Sequence, residues 1–257
     1  MSLTIHSTKD GSSTLYSDQF SQFYHNPNGA ATESLYVFFQ TSGLIKFLEE
    51  ASSLTVLEIG FGTGLNFLLL AEILKKQQIS IPVKFYSIEA FPVDRDTAKK
   101  FDFKDHIKHQ ELNQVLPEVF KKLETGMNVF KPIDDLDIEL NLFYGTFEDF
   151  NPKDLQADFI FHDPFSPAVN EELWNLDTFT KLRSFSNPEA VLATYCAASK
   201  ARGAMCAAEW FVAKAQGALG KREMTVASLS EDKLTFLKRV NEKRLAHRYK
   251  TGDFDWF

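Results

Sequence analysis

A glycine-rich run near residue 60 has the composition of a loop that lets the backbone touch a ligand. From Val56 to Asn66 the chain reads V-L-E-I-G-F-G-T-G-L-N. Glycine permits a sharp turn and leaves no Cβ in the way, and the first amides of the following helix are free to bind. A dinucleotide-binding turn would need Gly or Ala where Leu65 or Phe67 stands, and a P-loop would need Gly-Lys-Ser/Thr. The run therefore disfavours NAD and FAD and excludes a P-loop.

Two acidic residues follow later hydrophobic segments, where open α/β sheets place their sites. Glu89 ends the second predicted strand, and a carboxylate there can accept hydrogen bonds from both hydroxyls of a ribose. Asp163 ends a later strand and enters a loop stiffened by Pro164 and Pro167. Glu89 could instead be an ordinary exposed carboxylate at a strand end, and Asp163 a helix cap.

Alternating strands and helices would position these residues. The predicted strands are Leu54–Ile59, Val83–Glu89, Asp137–Tyr144, Ala157–Asp163, Ala190–Cys196, Phe211–Ala215 and Glu223–Leu229. A helix is predicted from Leu65 to Lys76, helical spacing continues from Thr32 to about Ala51, and a C-terminal helix is predicted from Glu231 to about Lys243. The alternation predicts a doubly wound α/β fold, with parallel strands and helices on both faces.

The remaining segments complete a single predicted domain, 1–257. Residues 1–31 are predicted to form a hairpin or extended arm, with a turn at Asp10-Gly11. Residues 102–135 are a possible insertion before the third strand, and residues 231–257 would hold the C-terminal helix and a tail. The N-terminus lacks the pattern of a secretory signal, and no apolar run approaches the roughly 20 residues of a membrane helix. With only Cys196 and Cys206, neither a disulfide framework nor a zinc site is indicated, so we expect a cytoplasmic protein without a metal.

Charge is distributed unevenly along the chain. The formal net charge is −7, but the stretch from Cys196 to Lys250 contains twelve Lys and Arg residues against five Asp and Glu residues. A basic region on an acidic body is typical of nucleic-acid binding. A solvated helical face is the alternative explanation.

The glycine run, E-x-G-x-G-x-G from Glu58 to Gly64, resembles the first motif of class I S-adenosylmethionine-dependent methyltransferases. The loop D-P-F-S-P-A-V-N-E-E-L-W from Asp163 to Trp174 resembles a segment of the MnmC family, which makes 5-methylaminomethyl-2-thiouridine at the wobble base of certain tRNAs. Further similar stretches are T-L-Y-S from Thr14, Y-H at Tyr24 and His25, G-A-A-T-E-S from Gly29 and K-R-E-M from Lys221. Together they extend over most of the chain. The resemblance implies a Rossmann-like, mostly parallel sheet with an antiparallel late strand, in the standalone form without the FAD-dependent oxidase domain.

This resemblance also implies roles for individual residues. S-adenosyl-L-methionine would be the cofactor and the anticodon loop of tRNA the partner. The residues expected to bind the cofactor are Glu58, Gly60, Phe61, Gly62, Gly64, Asn66, Glu89, Phe91, Thr146 and Phe147. Those expected to bind the substrate are Phe165 and Tyr195, which could sandwich the base, and Lys221 and Arg222, which could contact phosphates. Thr146 departs from the family, which usually has Asp there, so Glu148 or Asp149 could take over the contact with the adenine. Phe91 could cover the adenine or simply pack in the core.

Asp163 is the candidate catalytic residue. Methyl transfer to an amine moves positive charge from sulfur to nitrogen, and a carboxylate beside the nitrogen would stabilise that charge. Asp163 could orient the amine and could also take its proton. Two other functions are compatible with the sequence. One is a small-molecule amine methyltransferase or aminopropyltransferase on the same fold, and the other is a non-catalytic RNA-binding scaffold. The basic C-terminal quarter argues against the former and the intact motif residues against the latter.

Overall fold

A nine-stranded sheet carries the site, in a computed structural model that describes residues 3–254. Five central strands are parallel, and antiparallel strands flank them on both sides. A separate three-stranded antiparallel sheet, β1 to β3, forms an N-terminal arm. The strands are β1 (Leu3–Ser7), β2 (Ser13–Ser17), β3 (Gln22–Phe23), β4 (Leu54–Ile59), β5 (Val83–Glu89), β6 (Gly126–Phe130), β7 (Ile138–Tyr144), β8 (Ala157–His162), β9 (Ser186–Thr194), β10 (Phe211–Ala215), β11 (Met224–Ser228) and β12 (Lys238–Arg239).

Helices cover both faces of the large sheet. The α-helices are α1 (Ala30–Ser34), α2 (Leu44–Leu48), α3 (Leu65–Gln77), α4 (Arg95–Ala98), α5 (Val115–Lys122), α6 (Leu176–Ser184), α7 (Ser199–Ala207) and α8 (Glu242–Lys250). Side chains alternate across each strand, so Phe159 and Phe161 enter one core while Ile160 enters the other. The predicted doubly wound α/β fold is confirmed. The resemblance implied one antiparallel strand late in the chain, whereas the sheet has antiparallel strands at both of its sides.

The order of strands creates a cleft. Across the sheet the order is β12-β10-β11-β9-β8-β4-β5-β7-β6. From β4 the chain first builds outward through β5 to β7 and then returns to place β8 on the other side of β4. In an open α/β sheet, a ligand binds where the order reverses, outside the carboxyl ends of the strands. The loops after β4 and β8, which hold Gly60 and Asp163, meet at that point.

The predicted C-terminal helix from Glu231 to about Lys243 is wrong. A short 3₁₀ turn covers Glu231–Leu234, and β12 then pairs with β10. The helix α8 starts only after Asn241, whose side chain accepts a hydrogen bond from the Arg244 amide at 3.0 Å. This N-cap fixes the start of the helix, because a side-chain acceptor satisfies an amide that has no partner within the first turn.

Two other segments differ from what the sequence suggested. Residues 102–135 contain α5 and the edge strand β6, and α5 packs beneath the glycine loop, with Phe120 5.7 Å from Phe61 between ring centroids. The helical stretch after Thr32 is divided into α1, a π-helical turn at Leu35–Gln40 and α2. Gly43, with a φ of 85°, interrupts it before α2. Within residues 3–254, no helix is both long enough and apolar enough to cross a membrane.

Candidate active site

The glycine loop lies against its neighbours with no room for side chains. Gly60 and Gly62 have φ values of 93° and 55°, which L-residues with a side chain rarely adopt. A Cβ on Gly60 would lie 2.9 Å from the Asp163 carbonyl oxygen, and one on Gly62 would lie 3.2 Å from the Tyr24 ring. The sequence therefore keeps glycine here so that this backbone can form the wall of a cavity.

Glu58 anchors the strand that carries this loop. Its buried carboxyl accepts hydrogen bonds from Asn66 Nδ2 at 2.9 Å and Ser87 Oγ at 2.6 Å. Burial raises the pKa of Glu58 to about 8, against the effect of these two hydrogen bonds. The Asn66 amide also lies 3.5 Å from Asp163 Oδ2, so it connects the two carboxyl groups.

Glu89 stands at the end of β5, as its place in the sequence predicted. Its two oxygens accept hydrogen bonds from the Gly62 amide at 2.7 Å and the Phe91 amide at 2.8 Å. Burial raises the pKa of Glu89, and the backbone hydrogen bonds act in the opposite direction. A carboxylate oxygen can accept more than one hydrogen bond, so Glu89 retains the capacity to bind hydroxyl groups.

Asp163 follows β8, and its amide donates to the Ile59 carbonyl at 3.0 Å. Burial, together with the negative charges of Glu58 and Glu33, raises the pKa of Asp163 well above its usual range. The hydrogen bond from Asn66 and the charge of Lys221 act in the opposite direction. A carboxyl group so placed holds a proton more readily than an exposed aspartate does.

Two cavities meet at Asp163. The first has a volume of about 560 Å³ and the second about 450 Å³. Five residues line both cavities, and they are Tyr24, His25, Asp163, Pro164 and Phe165. Asp163 therefore belongs to the wall of both cavities.

The predicted cofactor residues lie at the first cavity in two layers. Gly60, Gly62, Glu89, Phe91, Thr146 and Phe147 line it directly. Glu58, Phe61, Gly64 and Asn66 are buried behind that wall or help to shape it, and the Phe61 side chain packs in the core. Phe91 is 43% exposed and its ring contacts Phe20. The Thr146 hydroxyl donates to Asp149 at 2.7 Å, which brings an acidic side chain next to the position where the family has Asp.

The predicted substrate residues separate. Phe165 lines both cavities, whereas Tyr195 and Lys221 line the second. The Tyr195 hydroxyl donates to the Pro164 carbonyl at 2.8 Å, and burial raises the pKa of Tyr195 well above its usual range. Lys221 Nζ lies 2.6 Å from Glu33 Oε1 and 5.1 Å from the centre of the Tyr195 ring. Arg222 is exposed and lines neither cavity.

The arm contributes residues to which sequence reasoning gave no chemistry. Phe20 and Tyr24 contact the Phe165 ring, with centroids 4.8 and 5.1 Å away. His25 Nε2 lies 2.8 Å from the Thr63 hydroxyl, and burial lowers the pKa of His25 to about 4. Tyr24 and His25 belong to a stretch similar to the MnmC family, and this similarity could have indicated from the sequence that they lie at the site. In the described part of the chain, no cluster of three His, Cys, Asp or Glu side chains could hold a metal ion.

The arrangement fits a nucleoside-containing cofactor in the first cavity. Its floor is a glycine cradle that side chains would fill, and a buried carboxylate, Glu89, stands at its edge. Aromatic rings from Phe91 and Phe147 provide flat apolar surface. The second cavity offers more aromatic surface and a carboxyl group at the junction. The geometry thus suits the transfer of a group from a cofactor to a partly aromatic acceptor.

Comparison with known proteins agrees with this geometry. Residues 107–230 match a family model described as S-adenosyl-L-methionine-dependent methyltransferase. The tRNA 5-methylaminomethyl-2-thiouridine biosynthesis bifunctional protein MnmC of Cupriavidus metallidurans is 32% identical over 221 residues, which make up 83% of this chain and 32% of that protein. The protein of the same name from Campylobacter hominis is 30% identical over 211 residues, or 82% of this chain and 30% of that protein. The chain thus spans about a third of the length of these relatives.

A solved structure shows the same fold. The crystal structure of MnmC2 from Aquifex aeolicus aligns with a TM-score of 0.75 at 23% sequence identity. The alignment covers 97% of this chain and 76% of that one. The shared architecture therefore includes the arm as well as the large sheet.

Proposed function

We propose that this chain, an S-adenosylmethionine-dependent methyltransferase similar to the MnmC proteins, methylates the 5-aminomethyl group of a tRNA wobble uridine. The single observation that carries the proposal is the meeting of two cavities at Asp163. The first would hold the cofactor and the second the base. The names of the relatives, which refer to tRNA 5-methylaminomethyl-2-thiouridine biosynthesis, support this acceptor over a small-molecule amine.

The residues around the first cavity would hold S-adenosylmethionine. Glu89 would accept hydrogen bonds from the ribose hydroxyls, and the backbone of Gly60 and Gly62 would lie against the ligand. Phe91 and Thr146 would border the adenine. When bound, S-adenosylmethionine supplies a methyl group on a positively charged sulfur.

Asp163 would act on the acceptor amine. Its carboxylate can accept a hydrogen bond from the nitrogen and so direct the nitrogen lone pair toward the first cavity, and alignment of this kind supplies much of the rate. As the new C–N bond forms, the nitrogen becomes positive and the carboxylate stabilises it. Its raised pKa makes Asp163 a better proton acceptor than an ordinary aspartate, so it can then take the proton that the nitrogen must lose.

The tRNA would be held by aromatic and basic residues. Phe165, Tyr24 and Tyr195 provide surface for stacking an unpaired base of the anticodon loop. Arg222 is exposed, follows Lys221 in the sequence and would contact a phosphate. A tRNA-modifying enzyme of this kind would act in the cytoplasm.

The test is methylation of tRNA that lacks this modification but carries 5-aminomethyluridine. Incubation with S-adenosylmethionine, followed by nucleoside mass spectrometry, should show a gain of one methyl group on that nucleoside. Omission of the cofactor provides the blank. Methylation of a free polyamine without methylation of the tRNA would contradict the proposal and favour a small-molecule amine methyltransferase.

A further inference from the structure

The second cavity contains an ion pair that the reaction described above does not use. Glu33 and Lys221 both line this cavity, and Lys221 Nζ lies 2.6 Å from Glu33 Oε1. The Glu33 side chain is only 12% exposed, whereas that of Lys221 is 41% exposed. An isolated ion pair contributes little to stability when its members are exposed. The Glu33–Lys221 pair is half-covered and lies in the wall of a cavity, so its charged atoms can bind polar groups of a ligand there.

Both members of the pair have hydrogen-bonding capacity left. The two donors that reach Glu33 in the described residues, Lys221 Nζ and Asn26 Nδ2, both bind Oε1. Oε2 therefore has no hydrogen-bond donor within residues 3–254. Lys221 carries three N–H groups and uses one on Glu33, while its ammonium lies over the Tyr195 ring. The pair thus offers one free acceptor beside free donors.

That pattern is complementary to one edge of a uracil ring. Uracil presents the O4 acceptor next to the N3–H donor, whereas cytosine presents an amino donor next to the N3 acceptor. Enzymes that act on an extruded base read it by hydrogen bonds to this edge and by stacking on aromatic side chains. The ring carbon that bears O4 is bonded to C5, so a base read at this edge can also direct its C5 substituent to Asp163.

We infer that Glu33 and Lys221 read the acceptor base as a uracil, with Glu33 Oε2 accepting from N3–H and Lys221 Nζ donating to O4. This inference rests on the proposed function, and it names the residues that select the base. Tyr195, Phe165 and Tyr24 supply the stacking surface of the same cavity. Lys221 is then a base-reading residue, and contacts to phosphates fall to Arg222.

The experiment compares two synthetic anticodon stem-loops that differ only in the target base, 5-aminomethyluridine or 5-aminomethylcytidine. The wild-type chain should methylate the uridine substrate with a kcat/KM at least about tenfold higher, since a half-covered pair left with mismatched hydrogen bonds disfavours the wrong base. Glu33→Gln and Lys221→Met should each lower kcat/KM for the uridine substrate about tenfold or more and reduce the ratio of uridine to cytidine rates.

Four controls keep the result interpretable. Glu189→Gln breaks the 3.0 Å ion pair between Glu189 and Lys233 and should change neither rate. Glu189 lies in the first half of β9, whereas Tyr195 of the second cavity follows the last residue of that strand. Glu33→Asp keeps the charge and should preserve the preference for uridine at a lower rate. The charge of Glu33 also raises the pKa of Asp163, so all rates are compared on their pH plateau. Titration with a cofactor analogue shows that each variant is folded.

Equal losses on both substrates, with an unchanged ratio, would overturn the inference and leave the pair a structural role. An undiminished uridine rate in both variants would overturn it as well. Failure of the proposed function is seen separately, because the wild-type chain would then methylate neither stem-loop before any variant is made.

Discussion

At the scale of single residues, Asp163 carries the clearest prediction. Asp163→Ala should lower kcat roughly a hundredfold or more, because an electrostatic contact at the reacting nitrogen is lost. Cofactor binding should change little, since Glu89 and the glycine loop remain. Single-turnover rates and calorimetric titration measure the two effects. Near-normal turnover in the variant would remove Asp163 from the chemistry.

The pH dependence of the same residue gives a second readout of that prediction. The pKa of Asp163 is raised, and only the ionised form can accept the proton. The wild-type rate should therefore fall as the pH drops through this raised pKa, at a higher pH than for an exposed aspartate. Asp163→Asn should be slow at every pH and should lose this inflection.

Gly62 offers a second test at this scale. Gly62→Val should abolish cofactor binding, because Val is strained at a φ of 55° and its side chain would enter the space beside Tyr24. Gly126→Val is the matched control: it has a φ of 94° but lies in the edge strand β6 with no atom within 4 Å of a new Cβ. Titration with a cofactor analogue should fail for the first variant only. Equal binding by both would mean that the glycine loop does not form the cofactor wall.

At the scale of elements, the Gln22 side chain joins the arm to the loop after β8 by hydrogen bonds. Gln22 Nε2 donates to the Ser166 hydroxyl at 2.6 Å, and the Ser166 amide donates to Gln22 Oε1 at 3.3 Å. Gln22→Ala should weaken cofactor binding roughly tenfold, through faster dissociation, because hydrogen bonds of this kind contribute about 1 kcal/mol each. Gln156→Ala is the control. Within the described residues, the Gln156 side-chain amide donates to the neighbouring Leu155 carbonyl and does not join two elements. Stopped-flow dissociation that is identical in both variants would show that the arm does not retain the cofactor.

The sequence predicted the centre of the sheet well and its borders poorly. The central strands β4 and β5 are largely buried, and both were predicted with the bounds that the structure shows. The short strands β6 and β12 form only because a neighbour pairs with them, and a local pattern does not record that neighbour. The same holds for the site. The residues of each motif lie close together in the sequence and can be recognised there. The contact of Gln22 with Ser166, in contrast, joins residues that are 144 positions apart.

At the scale of the whole molecule, two histidines with lowered pKa values make the free energy of unfolding depend on pH. Burial lowers the pKa of His162 to about 3 and that of His25 to about 4, against a usual 6.5. At each of these two positions the folded state therefore binds fewer protons than the unfolded state below pH 6.5. The contribution of each histidine to the free energy of unfolding should fall on acidification below that pH by about 1.4 kcal/mol per pH unit, whereas the raised pKa of Glu58 contributes with the opposite sign.

Urea unfolding between pH 4 and 7 measures this dependence. His162→Gln should lose the destabilisation of about 1.4 kcal/mol per pH unit that His162 contributes on acidification, because the residue packed against Trp174 no longer titrates. His247→Gln, at an exposed position of α8, is the control. A slope that is the same in the wild-type chain and in His162→Gln would contradict the prediction.

The salt dependence of tRNA binding also belongs to the whole molecule. The basic C-terminal quarter is partly neutralised internally, since Arg202 and Lys214 both pair with Glu223. Arg222 has no ion-pair partner in the described chain and should contact a phosphate. Arg222→Ala should reduce the slope of log K against log salt concentration by about one unit. Lys221→Met should change this slope less, because Lys221 is already paired with Glu33. Filter binding at several salt concentrations measures both, and an unchanged slope for Arg222→Ala would place the tRNA surface elsewhere.

The two cavities share a wall, and under the proposed function this wall would couple the binding of the two ligands. Any cofactor-induced ordering of Tyr24 and Phe165 would change the free energy with which RNA binds, since the same side chains border both cavities. By linkage, RNA would then change cofactor affinity by the same factor. The demethylated cofactor and the methylated RNA would be coupled in the same way, so the side chains that align the reactants would also influence the order in which the two products leave.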